Sequence, residues 1–144
     1  MENRMRKLLL GAVLLALSLG AGAKDKTCYN LDPAFEKEMG YCQAVRVGDT
    51  LYISGTAASG EMPVAIGKVY ADLKTTLAAH GLTFADVVKE TVYATDLDAF
   101  IKHHQVRKAM YTGGYPVATW LQVPRLFTPA LVVEVELVAV FPSR

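Results

Sequence analysis

Two carboxylates in the last apolar run of the chain are the side chains best placed to do chemistry. Side chains alternate along residues 131–140, and Glu134 and Glu136 share one face with three valines. A carboxyl group can orient a water molecule and take its proton. The opposite face is wholly apolar and is predicted to lie in the core (Leu131, Val133, Val135, Leu137 and Ala139). A largely apolar outer face is usually covered by another subunit, so the pattern predicts oligomerisation.

The histidines and cysteines give weaker signals. His103 and His104 are adjacent, so on a helix they point about 100° apart and cannot form an i, i+4 metal pair. We therefore predict no metal and no cofactor. Cys28 and Cys42 could form a disulfide in an oxidising compartment. Alternatively, Cys42 is a small buried apolar residue at the start of a strand.

The first 23 residues have the three parts of a signal peptide. A basic start (Arg4, Arg6, Lys7) precedes an apolar run over residues 8–19 and the small triplet at residues 21–23. We expect cleavage after Ala23 and a periplasmic or secreted mature protein. A permanent N-terminal anchor is the alternative, but the apolar run is short of the roughly 20 residues that span a bilayer.

Cleavage leaves a mature chain with no strongly basic region. The leader contains three basic residues and one acidic residue, so 12 basic and 13 acidic residues remain. Binding to a nucleic acid duplex needs several cations on one face. We predict a small-molecule partner, no nucleic acid, and no stable membrane anchor after cleavage.

The mature chain divides into a leader arm over residues 24–40 and a single domain over residues 41–144. The arm has mixed charge and no clean period, whereas the domain alternates strand-like and helix-like patterns. The predicted strands are 43–47, 50–56, 86–95, 117–123 and 131–141, the predicted helices run from Pro63 to Gly81 and from Asp96 to Gly113, and 57–62 is a loop. This ββαβαββ order predicts an α+β fold with both helices on one face of the sheet.

Five segments of the domain resemble one known family. They are Tyr41–Val45, Gly48–Gly55, Val87–Tyr93 running into Asp96-Leu97 and Phe100, Tyr115-Pro116, and Val133–Ala139. Their order and spacing over about 100 residues are similar to those of the reactive intermediate deaminase (RidA/YjgF) family. The resemblance implies a chorismate-mutase-like fold with a mixed sheet, a homotrimer, and ligand pockets between subunits.

The resemblance also implies an activity and residues for it. In the family, water adds to the C=N bond of a 2-imino acid and yields a 2-keto acid and ammonia. Glu134 matches the glutamate that handles the water, Tyr41 a tyrosine of the pocket wall, and Ser54 the serine of the Ser-Gly segment. Each also has a structural alternative: Glu134 as an interface charge, Tyr41 as a core residue, and Ser54 as the end of a strand.

The carboxylate-binding position departs from the family pattern. Ala118 stands where the family has the arginine that follows the aromatic-Pro pair, and Trp120 replaces a small residue two positions later. His104 replaces an asparagine of the second helix. A methyl group and an indole favour an apolar, stacking site over an anion site. Trp120 as a core aromatic and His104 as a hydrogen-bonded helix residue are the alternatives.

Two functions remain open from the sequence. The first is a deaminase-type hydrolase of enamines or imines whose substrate is altered because Ala118 replaces the arginine, with Glu134 as the catalytic residue. The second is a non-catalytic metabolite-binding protein with an apolar, aromatic pocket. A ribonuclease activity ranks last because the mature chain offers no basic groove.

Overall fold

In the part of the chain that the structure describes, six strands form one mixed sheet. The computed structural model describes residues 25–143. The strands are β1 (Lys26–Tyr29), β2 (Ala44–Val47), β3 (Thr50–Ser59), β4 (Val87–Ala94), β5 (Val117–Gln122) and β6 (Leu131–Val140). They lie in the order β1-β2-β3-β6-β4-β5, and only β4 and β5 are parallel. The predicted α+β class, with a mixed sheet, is confirmed.

In the described part of the chain, four α-helices accompany the sheet: α1 (Pro33–Met39), α2 (Met62–Ala79), α3 (Leu97–Lys102) and α4 (Gln105–Lys108). The long helix α2 packs on β3 and β6, and α3 packs on β4 and β5. Helix α2 buries apolar residues at helical spacing, including Ile66, Val69, Leu73 and Leu77. Within residues 25–143, no helix is both long and apolar enough to cross a membrane.

The alternation predicted for the last strand is largely confirmed. Val133, Val135, Leu137 and Ala139 are at most 2% exposed and lie in the core. Leu131 is the exception, because the register between β3 and β6 shifts near Ser59. Leu131 consequently lines a cavity on the outer face of the sheet instead of packing under the helices.

Two predicted element bounds are wrong. The predicted loop over residues 57–62 begins too early, because β3 continues to Ser59 while Ala57 and Ala58 pair with β6. The predicted second helix is two short helices, α3 and α4. The chain tightens between them at His103, whose backbone N–H is shared by the carbonyls of Ala99 (3.3 Å) and Phe100 (3.1 Å).

The predicted leader arm contains regular structure. Strand β1 extends the sheet by pairing with β2, and a disulfide joins Cys28 to Cys42 with the two Cα atoms 5.7 Å apart. Residues 26–29 form a strand because they pair with β2, and a local sequence pattern cannot reveal such a pairing. The predicted signal peptide, residues 1–23, lies outside the described residues.

A buried carboxylate connects the arm to the domain. Glu36 is 1% exposed. It accepts hydrogen bonds from the backbone N–H groups of Leu31 (2.7 Å), Asp32 (2.7 Å) and Gln43 (2.8 Å), and from the side chain of Asn30 (2.6 Å). Burial raises the pKa of Glu36, but these four hydrogen bonds outweigh it and hold the pKa below 4.5. Glu36 is therefore an ionised carboxylate whose hydrogen bonds hold α1 beside the start of β2.

Candidate functional site

A cavity of about 520 Å³ opens on the face of the sheet away from α2. Its walls come from α1, the α1–β2 connection, β3, the loop before β6, and β6 itself. The lining residues are Phe35, Met39, Tyr41, Gln43, Ser54, Gly55, Thr56, Ala57, Phe127, Leu131 and Glu134. Three of the residues predicted from the sequence, Tyr41, Ser54 and Glu134, therefore share one cavity.

Glu134 is the carboxylate that lines this cavity. It is half-buried on β6, between Ala57 of β3 and Tyr93 of β4. Its carboxylate rests against Gly55, where an added Cβ atom would overlap the Oε1 atom. Burial raises the pKa of Glu134, and the charge of Glu136 raises it further. Glu134 therefore keeps a proton to a higher pH than an exposed glutamate, which suits a group that takes and returns a proton.

Tyr41 lies at the mouth of the cavity. It follows α1, and its backbone N–H donates to the Glu36 carbonyl at 3.0 Å. Its ring meets Phe35 edge to face, with the centroids 6.3 Å apart, and 39% of the residue is exposed. Burial, followed by the charges of Glu36, Asp32 and Glu134, raises its pKa. Tyr41 therefore remains a neutral hydroxyl that can donate a hydrogen bond to a ligand.

Ser54 is held by the neighbouring strand. Its hydroxyl donates to the Cys42 carbonyl at 2.7 Å, and its backbone N–H donates to the Gln43 carbonyl at 2.9 Å. The hydroxyl proton is thus engaged, and the oxygen remains free to accept a hydrogen bond. Cys42, which forms the disulfide with Cys28, is the residue after Tyr41, and its backbone carbonyl accepts the hydrogen bond from Ser54.

The other three predicted residues lie on the opposite face of the sheet. Trp120 is half-buried and packs edge to face on Phe100 of α3, with the centroids 5.1 Å apart. His104 is 6.5 Å from the Trp120 ring, and its Nδ1 atom is 2.7 Å from the Ile101 carbonyl. Ala118 is exposed on β5, beside Glu90 of β4. Within one protomer, these residues and Glu134 cannot contact the same small ligand.

The helix face also contains a polar cluster that the sequence did not predict. Glu90 is fully buried and accepts four hydrogen bonds. Tyr70 (2.7 Å) and Tyr111 (2.6 Å) donate to Oε2, while Arg107 Nε (2.6 Å) and the Trp120 indole (3.3 Å) donate to Oε1. Burial, followed by the charge of Glu90, raises the pKa values of both tyrosines. The cluster is therefore one carboxylate satisfied by four donors, one of them a cation.

One feature of the sequence could have indicated this buried cluster. Glu90 occupies an inward position of β4, in line with Val92 and Ala94, where an unpaired carboxylate would be very costly. An acidic residue at such a position indicates buried partners. Its main partner, Arg107, is 17 residues away on a helix whose course depends on the fold. Among the described residues, no group of three His, Cys, Asp or Glu side chains could hold a metal ion, and the absence of a metal stays a prediction.

Known proteins are similar to this chain in sequence and in fold. The Endoribonuclease L-PSP family matches residues 32–141. TdcF of Escherichia coli, named as a candidate reactive intermediate deaminase, is 30% identical over 111 residues, which cover 69% of this chain and 85% of TdcF. A crystal structure of TdcF with bound serine superposes with a TM-score of 0.66 and 26% identity, covering 71% of this chain and 88% of that chain.

Solved structures extend the similarity over most of the described chain. A member of the YjgF/YER057c/UK114 family from Mycobacterium tuberculosis has a TM-score of 0.74 and 29% identity, covering 81% of this chain and 99% of that chain. RidA from an Antarctic Psychrobacter has a TM-score of 0.65 and 33% identity, covering 70% and 88%. The family match over residues 32–141, together with this fold, identifies the chain as a member of the RidA/YjgF (Endoribonuclease L-PSP) family.

Proposed function

We propose that this protein is a hydrolytic deaminase of small enamines or imines, with Glu134 as its catalytic residue. The observation that carries the proposal is the Glu134 carboxyl, which is half-buried in the cavity, rests against Gly55 and has a raised pKa. The substrate is altered from that of the wider family, because Ala118 provides no cation at the family's arginine position.

The proposed step uses one water molecule and one carboxyl group. Glu134 takes a proton from water as the water oxygen attacks the carbon of the C=N bond, which forms a carbinolamine. Glu134 gives this proton to the nitrogen, which completes the neutral carbinolamine. Glu134 then takes the proton of the carbinolamine hydroxyl and gives it to the nitrogen as the C–N bond breaks and the C=O bond forms. The products are a keto compound and ammonia, and Glu134 ends in its starting state. A raised pKa favours this exchange because the group must both accept and donate a proton near neutral pH.

The complete site is proposed to form between subunits of a homotrimer. The group around Glu134 and the group around Ala118 lie on opposite faces of one protomer, so only a neighbouring copy can bring them together. The face of the sheet away from α2 also exposes apolar side chains, among them Tyr52 (51%), Val117 (70%) and Leu121 (40%). Light scattering on the mature protein should give three times the chain mass, and a monomer would contradict the proposal.

Export is the third part of the proposal. The support is the basic start, short apolar run and small triplet of residues 1–23, together with a disulfide between Cys28 and Cys42. Disulfides persist in oxidising compartments such as the bacterial periplasm. N-terminal sequencing of the protein recovered from periplasm and medium should begin at Lys24. An uncleaved N-terminus in the cytosolic fraction would contradict this part of the proposal.

The activity is tested with the mature protein and a panel of freshly generated imines and enamines. The wild-type protein should release ammonia, and Glu134→Gln should be slower by about 10²–10⁴-fold. Glu38→Gln is the matched control and should leave the rate unchanged, because Glu38 is an exposed carboxylate of α1 that does not line this cavity. Equal rates for the wild-type protein and Glu134→Gln would contradict the assignment.

A second candidate function is non-catalytic binding of an apolar or aromatic metabolite. It is favoured by the aromatic wall of the cavity, where Phe35 meets Tyr41 at 6.3 Å and Phe127 at 6.5 Å. Aromatic ligands should then raise the melting temperature of the wild-type protein and of Glu134→Gln equally, and Phe35→Ala should abolish the shift. No shift across a broad metabolite library would exclude this function.

A further inference from the structure

Two aromatic rings of the cavity wall stand nearly at right angles to a third. The plane of the Phe35 ring makes 83° with Tyr41, with the centroids 6.3 Å apart, and 76° with Phe127, with the centroids 6.5 Å apart. All three residues line the cavity and are at least 39% exposed, so a ligand can reach their rings. The face of an aromatic ring carries partial negative charge and attracts cations. This wall therefore suits a positively charged group.

Two carboxylates give the cavity a negative charge that is not neutralised by an ion pair. Glu134 lines the cavity, and Glu36 lies next to Tyr41, whose backbone N–H bonds the Glu36 carbonyl at 3.0 Å. The four hydrogen-bond donors to Glu36 are neutral groups, and within residues 25–143 neither glutamate forms an ion pair. After burial, the charges of Glu36, Asp32 and Glu134 raise the pKa of Tyr41. The electrostatic field at the Tyr41 hydroxyl is therefore negative.

The cations nearest in sequence to the cavity wall do not offset this charge. Among the described residues, the lining contains no lysine, arginine or histidine. Lys37 and Arg125 are exposed and outside the lining, where solvent and salt screen their charges. Arg125 donates instead to the Phe127 carbonyl at 3.3 Å. In the proposed trimer, a neighbouring copy contributes Ala118 at the family's arginine position, so it adds no cation there.

We propose that the cavity binds small organic cations, and that its substrates are imines derived from amines, with a positive charge and no carboxylate. This inference rests on the proposed function and names its substrate class. The faces of Phe35, Tyr41 and Phe127 surround the cationic end of the ligand, and the Glu134 carboxylate pairs with it. A carboxylate on the ligand is repelled, because the cavity holds like charge and offers no cation.

A positive charge on the ligand is compatible with the proposed reaction. A protonated imine already carries the proton on its nitrogen, so water attack with ionised Glu134 as base gives the neutral carbinolamine directly. As the C–N bond breaks, the water proton and the hydroxyl proton pass through Glu134 to the nitrogen. The nitrogen leaves as ammonium, and Glu134 returns to the ionised state. A cation beside Glu134 also favours the ionised carboxylate, which is the form that accepts the water proton.

Three probes of nearly equal size and different charge test the inference by calorimetric titration of the mature protein at pH 7. Benzamidinium is a cation, benzamide is neutral and benzoate is an anion, and each joins a phenyl ring to a planar end group. Benzamidinium also has the planar, protonated C=N group of the proposed substrates. It should bind about tenfold or more tightly than benzamide. Benzoate should show no binding.

The carboxylate is tested with Glu134→Gln, which keeps the shape of the side chain and removes its charge. This variant should bind benzamidinium about tenfold or more weakly and benzamide as the wild-type protein does. Glu38→Gln is the control, because Glu38 is exposed on α1 and does not line the cavity. It should leave both affinities unchanged.

The aromatic wall is tested with Phe35→Leu, which keeps an apolar side chain and removes the ring. Benzamidinium affinity should fall by about 2–30-fold, and benzamide affinity should fall less. Phe141→Leu is the control, because Phe141 packs against Arg46, with the guanidinium carbon 3.8 Å from the ring centroid, and is outside the cavity. Equal affinities of the wild-type protein for benzamidinium and benzamide, tighter binding of benzoate, or no binding of any probe would overturn the inference.

Kinetics separate this inference from the proposed function. Imines freshly generated by oxidation of benzylamine and of phenylglycine differ by one carboxylate. Ammonia release should have a kcat/KM about tenfold or more higher for the benzylamine imine. Benzamidinium binding without hydrolysis of either imine would overturn the proposed function alone. Hydrolysis with an equal or higher kcat/KM for the phenylglycine imine would overturn this inference alone.

Discussion

Two glutamates on neighbouring strands of this protein have opposite surroundings. Glu90 on β4 is fully buried and accepts four hydrogen bonds, one of them from a guanidinium. Glu134 on β6 is half-buried at an open cavity, rests against a glycine, and has a raised pKa. A carboxylate satisfied on every side stabilises the fold and orients its partners. A carboxyl that is desolvated with few partners is available to a substrate.

The largest expected effect tests whether Glu90 stabilises the fold. Glu90→Ala leaves the Arg107 cation and two tyrosine hydroxyls without their acceptor, so the free energy of unfolding should fall by about 3–5 kcal/mol. Urea denaturation measures this change. Lys89→Ala, at the exposed neighbouring position, should change it by less than about 0.5 kcal/mol. A loss below about 1 kcal/mol for Glu90→Ala would show that Glu90 does not hold the helix face together.

The second prediction disturbs Glu134 without removing it. The added methyl group of Gly55→Ala would overlap the Glu134 carboxylate and displace it. A misplaced catalytic group can cost about 10²-fold in rate, or about 2.7 kcal/mol in the activation barrier. Steady-state kinetics on an imine that the wild-type protein hydrolyses measures the change. Gly67→Ala on α2, where a Cβ atom meets only Val106 at 3.9 Å, is the control. Unchanged kcat in Gly55→Ala would show that the glycine does not set the Glu134 position.

The third prediction extends the comparison to Glu36, which resembles Glu90 in having four donors. Glu36→Gln places an amide NH₂ group against backbone N–H groups and should cost about 1.5–3 kcal/mol. The exposed Glu38→Gln on the same helix should cost almost nothing. Equal melting temperatures for the two variants would show that the Glu36 carboxylate does not stabilise the fold.

Glu36 also predicts a pH dependence. Its folded pKa lies below the ordinary value of 4.5. Its stabilising contribution is therefore complete above about pH 4.5 and is lost as the pH falls through the lowered folded value. The stability difference between the wild-type protein and Glu36→Gln should shrink on acidification below pH 4.5. A difference that stays constant down to strongly acidic pH would contradict the lowered pKa.

The smallest expected effect concerns the stability cost of Glu134. Its folded pKa is raised, so the folded state binds its proton more tightly than the unfolded chain does. Stability therefore falls as the pH rises from the ordinary pKa of 4.5 through the raised folded value. Glu134→Gln should be slightly more stable than the wild-type protein at pH 7 and equal to it below pH 4. Melting curves at both pH values measure this, and a less stable variant at pH 7 would reverse the comparison.

Local patterns predicted the parts of the fold that depend on neighbouring residues. The alternation of β6 indicates its core face, and Asp96 as a helix N-cap is confirmed by its hydrogen bond to the Ala99 N–H group at 2.9 Å. The same patterns missed β1 and α1. Strand β1 exists because it pairs with β2, and α1 is held by the hydrogen bonds that Glu36 accepts. The pairing of β1 with β2 joins residues that are distant in the sequence, so a local pattern does not reveal it.

The candidate site divides in the same way. The family motifs led to Tyr41, Ser54 and Glu134, which the structure brings into one cavity. Ala118 was recognised as a lost cation, but the pairing of Arg107 with Glu90 was not recognised. These two residues are 17 positions apart along the chain, so their contact depends on how α4 and β4 are arranged in the fold. The edge-to-face contact of Trp120 with Phe100 likewise depends on how α3 packs on β5.

The sequence by itself determined the family, the order of most elements and the absence of the family arginine at residue 118. Those properties follow from short motifs and from periodicities of 2.0 and 3.6 residues, which local chemistry sets. Only the tertiary structure decided that Glu134 is desolvated, that Glu90 collects four donors, and that the two groups of site residues face opposite ways. Burial and hydrogen bonding between distant segments exist only once the sheet and helices have packed, and they set the pKa and availability of each charged group.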